Sequence, residues 1–107
     1  MNYELAKQLK DAGFPDVIER HDRKQQWIQD DPESHEYIFY PELAPTLEEL
    51  IEACGDRFEE LNRVGHGKKP KWSAVSYSCE ECGIDVMKMG RGSSPLEAVA
   101  RLWLEIN

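Results

Sequence analysis

Apolar positions recur with helical spacing in three stretches of the chain and alternate with polar ones in a fourth. Leu5, Ala6 and Leu9 predict a helix over residues 2–12, and Gly13 with Pro15 just beyond supplies a stop. Thr46 and Glu49 form a capping-box pattern ahead of the stripe Leu47, Leu50, Ile51 and Cys54, and Gly55 closes this second helix. Ser94 as N-cap, Pro95 in the first turn and Glu97 as the partner of a second capping box open a third helix. Its apolar face is Ala98, Val99, Leu102, Trp103 and Ile106. Between the second and third helices the period changes to two. Trp72 to Ser78 alternates, with Val75 and Tyr77 on one face and Trp72 and Ala74 on the other. Ile84 to Met89 sets Ile84 and Val86 against Asp85 and Met87. Phe58, Leu61 and Val64 mark a third strand over 57–64, by a weaker pattern that a helix also satisfies.

Residues 16–44 have no comparable period. Val17-Ile18 and Trp27-Ile28 are apolar pairs among charged neighbours, and Asp30 to Glu36 reads as a polar turn. Tyr37-Ile38-Phe39-Tyr40 has strand propensity but meets Pro41 at once, so an edge strand or an extended segment is expected. The fold class expected is α+β. Residues 45–107 form an α-β-β-β-α core, a three-stranded antiparallel sheet packed by two helices, preceded by an N-terminal helix and the irregular or extended stretch 16–44. The 107 residues fit one domain.

Charge narrows the partners. The formal charge is −8, which repels phosphate backbones and anionic surfaces, so neither nucleic acid nor membrane is an expected partner. No apolar run approaches the ~20 residues of a membrane span. The start, Met1-Asn2-Tyr3-Glu4-Leu5, lacks the basic-then-apolar pattern of a signal peptide, and a cytoplasmic location is expected.

The sharpest chemical signal is Cys79-Glu80-Glu81-Cys82-Gly83. Two thiols at this spacing on a tight turn can face one Zn²⁺, but a structural zinc site takes four ligands. Cys54, His66, His35 and His21 are the candidates to complete it, as is the same pair from a second subunit; none forms a second ligand pair by spacing. The alternative is a hairpin tip with incidental thiols. Redox use is disfavoured by two glutamates inside the motif, which oppose thiolate formation. Arg63, His66, Lys68, Lys69 and Lys71 make a basic stretch after the acidic residues 42–60, read as a solvated loop or a partner surface, with weak nucleic-acid binding through the 63–71 loop as an alternative function. The α-β-β-β-α order also suits a double-stranded-RNA-binding domain. The start of the last helix, Ser93-Ser94-Pro95-Leu96-Glu97, lacks the lysines that fold uses to grip phosphates. Nucleophile elbows, phosphate loops and His-Glu-x-x-His are missing too, and no enzymatic activity is expected.

Two stretches carry a family likeness: Pro45 to Gly55 (PTLEELIEACG) and Gly92 to Leu104 (GSSPLEAVARLWL). They resemble small phage- and prophage-encoded proteins with a phage αβα (ABA) sandwich domain. The likeness covers roughly residues 44–107, with a weaker echo in Leu5 to Pro15. It implies a helix, a short sheet and a terminal helix. That family has no assigned catalytic residues, so none are carried over, and Cys79 to Cys82 and the charged stretch 19–36 are not among its features. The function expected is therefore a non-enzymatic accessory protein that contacts a protein partner. The acidic helix 46–54 and the aromatic segment 37–40 are the candidate surface, and a homo-oligomer is one form such contact can take.

Overall fold

The computed structural model describes residues 1–21, 23–64, 71–79 and 85–107, and these divide into two compact units, Met1–Pro45 and Thr46–Asn107.

In the first unit, α1 (Tyr3–Asp11) begins where the Asn2 side chain accepts the Leu5 N–H at 2.8 Å, and it buries Leu5, Ala6 and Leu9. Two antiparallel hairpins follow in the stretch where strand propensity marks only Tyr37 to Tyr40. The first pairs β1 (Val17–Arg20) with β2 (Arg23–Gln26). The second pairs β3 (Ile28–Asp30) with β4 (Tyr37–Phe39). Trp27 stitches them together. Its N–H donates to Asp16 O, its carbonyl accepts from Tyr40 N, and its indole N–H donates to Pro15 O at 2.8 Å. The ring is fully buried and meets Phe14 and Phe39 edge-on, with centroids 6.0 and 6.1 Å away. Arg20 fixes the end of the unit: its guanidinium donates to the carbonyls of Leu43 and Ala44, each at 3.0 Å, around the short 3₁₀ turn Pro41–Leu43.

The second unit has the α-β-β-β-α order expected for it. α2 (Leu47–Cys54) carries the reciprocal capping box: Glu49 N–H donates to Thr46 Oγ1, and Thr46 N–H donates to the Glu49 carboxylate. After a 3₁₀ turn (Gly55–Arg57), the antiparallel sheet runs β5 (Glu60–Val64), β6 (Lys71–Cys79), β7 (Asp85–Gly92), in that spatial order. α3 (Pro95–Ile106) lies against β6 and β7, and α2 packs against α3. Leu50, Ala74, Val99 and Leu102 are fully buried. The whole of Ile84 and the side chains of Tyr77, Val86 and Met87, assigned to sheet faces by the alternation, lie outside the described residues.

Two local features differ from the sequence expectation. First, β7 continues past Met89 through Gly90 and Gly92. The glycines extend it because α3 presses on that face. A Cβ at Gly90 would sit 2.2 Å from Leu102 N and 2.3 Å from Ala98 O, and one at Gly92 would sit 2.7 Å from the Glu97 side chain. Second, the α3 cap is not the reciprocal box. Ser94 Oγ accepts the Glu97 N–H, but the Glu97 carboxylate takes the N–H and hydroxyl of Ser93. At its other end α3 is closed by side chains. Lys88 Nζ and Arg57 donate to the carbonyls of Glu105 and Ile106, which lie past the last helical acceptor, and the Asn107 side chain donates to the carbonyl of Trp103. Two of the three donors are cations placed at the negative end of the helix dipole.

Candidate functional site

A concave region lies in the first unit. There α1 and the β3–β4 hairpin enclose an open groove of about 480 Å³. Helical spacing puts Tyr3, Lys7 and Asp11 on one ridge of α1. Tyr37, the first residue of β4, is tied to both ends of that ridge: its N–H donates to the Tyr3 hydroxyl at 3.2 Å, and its own hydroxyl donates to the Asp11 carboxylate. This bond to Asp11, together with partial desolvation and neighbouring carboxylates, pushes the Tyr37 phenol up to about 12.

The facing wall is the turn Asp31–Glu36, which closes the β3–β4 hairpin. Asp31 organises it. Its carboxylate accepts the Glu33 N–H and the Ser34 hydroxyl, at 3.0 and 2.8 Å, and its own N–H donates to Glu36 O. The first of these bonds, then the second, hold the Asp31 carboxyl below its ordinary value, so it is a carboxylate at neutral pH. His35 adopts a left-handed backbone, φ 59°, that lets its N–H return to Asp31 O. The groove is thus lined by two tyrosines, by the carboxylates Glu4, Asp30, Asp31 and Glu36, and by Lys7 and His35. Its charge is predominantly negative, and the charged groups are largely solvated.

The residues singled out in the sequence are distributed elsewhere. Cys79 pairs with Asp85 at the last register position of the β6–β7 ladder, while its side chain and all of Cys82 lie outside the described residues. Cys54 is a buried face of α2 whose thiol burial pushes up to about 11, which makes it a core residue. Among the described residues, no three His, Cys, Asp or Glu side chains converge on a point that could hold a metal ion. In the basic stretch, Arg63 and Lys71 are exposed at the ends of β5 and β6, and residues 65–70, with His66, Lys68 and Lys69, lie outside the described residues. His21 sits at the β1–β2 turn, φ 49°. On α2, Glu48 and Glu52 are exposed.

The aromatic segment does not form a free apolar surface. Trp27 is core, and Tyr37, Phe39 and Tyr40 are half-buried, leaving Ile38 as the exposed member. Where an RNA-binding domain places lysines, the start of α3 holds Glu97. Burial raises its carboxyl, but the bonds from Ser93 and the ion pair with Arg101 outweigh that and hold it low. A phosphate there would meet a carboxylate. Among the described residues no helix is long and apolar enough to cross a membrane.

The groove itself could not have been found from periodicity. Tyr3, Glu4 and Lys7 are polar-face residues of a helix, and only the polar turn at 30–36 and the Tyr37 segment after it were visible. No family model matches the chain, and no curated protein or solved structure matches it either.

Proposed function

We propose that the chain is a non-enzymatic accessory protein, of the phage or prophage type suggested by residues 44–107, and that its groove between α1 and the β3–β4 hairpin binds a basic segment of a protein partner. The observation that carries this is the set of four largely solvated carboxylates, Glu4, Asp30, Asp31 and Glu36, that line one open groove beside Tyr3 and Tyr37. Exposed carboxylates attract Lys or Arg at low cost in desolvation, and half-buried tyrosines offer apolar area to the stems of those side chains. The Glu97 carboxylate at the start of α3 supports a protein partner over a nucleic acid.

The test compares two charge reversals of equal size. Binding of a short Arg- and Lys-rich peptide is measured for E4K/D30K, on the groove, and for E48K/E52K, on α2. The groove variant is expected to lose about tenfold in affinity, roughly 1.4 kcal/mol, while the α2 variant stays within about twofold. Equal losses would mean that net charge alone attracts the peptide.

A second reading concerns Cys79 and Cys82. Cys79 ends the β6 ladder beside Asp85, so the motif spans the connection between two antiparallel neighbours. This supports a zinc-stabilised module in which Cys79 and Cys82 supply half of the ligands. Near-stoichiometric zinc in purified protein, lost in C79S/C82S, is the expected result; metal-free protein would end it.

A further inference from the structure

We draw no further inference here: the strongest candidate, the carboxylate-lined groove between α1 and the β3–β4 hairpin, belongs to the site already described, and no second observation among the described residues points to its ligand more narrowly than charge does.

Discussion

At Gly90 the β7 backbone lies against the backbone of α3, and neither can give way as a flexible side chain would. Gly90→Ala is expected to cost about 3 kcal/mol or more. Gly92→Ala meets Glu97 Cβ and Cγ at 2.7 Å and Ala98 N at 3.0 Å, a looser approach than at Gly90, and should cost less. Urea titrations of the two variants check the order. Trp27 is the counterpart in the first unit, since one residue supplies ring packing, an indole hydrogen bond and both backbone links between hairpins. Trp27→Ala should cost about 3–5 kcal/mol. At Cys54 the raised thiol implies slow alkylation in mildly alkaline buffer, between its ordinary value of 9.0 and about 11, with fast labelling once the chain unfolds. A C79S/C82S background isolates that thiol, and prompt labelling of folded protein would contradict its burial. Tyr37 gives a pH signature. Its folded value is raised from 10.0 to about 12, so the stability it contributes is complete below pH 10 and lost as pH rises through about 12. Asp11→Asn removes the largest cause, and the phenol should then titrate nearer 10.

Elements were legible where one face is buried and the other wet. α2 and α3 announce themselves because caps and apolar stripes agree; β6, by contrast, is buried on both faces from Ser73 to Ser76 and was legible from its strand-forming residues. β1 and β2 did not, because the strand pair VIER and RKQQ buries no residue fully and its apolar and polar residues do not alternate in the sequence, even though exposure alternates along β1. Their register comes instead from a connection of two residues between the paired Arg20 and Arg23, with His21 in the left-handed region. β7 was cut short because glycine normally weakens a strand; here it marks a helix lying against the backbone. The caps separate two kinds of helix start. Thr46→Ala and Ser94→Ala should each cost about 1 kcal/mol. Glu49→Ala removes the reciprocal bond to the N-cap of α2, whereas Glu97→Ala frees Ser93, outside α3. Helix content at rising temperature for the four variants tests this division.

At the scale of the whole molecule, charge was legible and its placement was not. A formal charge of −8 sets a long-range repulsion toward phosphate-rich surfaces that only a local basic patch would override. That four of them line one groove depends on a tertiary contact, Tyr37 with Tyr3 and Asp11, joining residues 26 and 34 positions apart. Pattern reading has no access to such a contact. The Cys79–Cys82 motif shows the reverse, a strong local signal whose partners spacing alone does not supply. Because the groove's charges are solvated, its attraction for a cationic segment should fade as salt is raised past the point where the Debye length drops below about 8 Å. The most direct test of the groove as the contact face is an amide NMR titration with a short Arg- and Lys-rich peptide at low salt. Shifts should concentrate on Tyr3 to Lys7 and Asp30 to Tyr37, and disappear in E4K/D30K. Shifts centred on α2, or scattered over every acidic position alike, would contradict it.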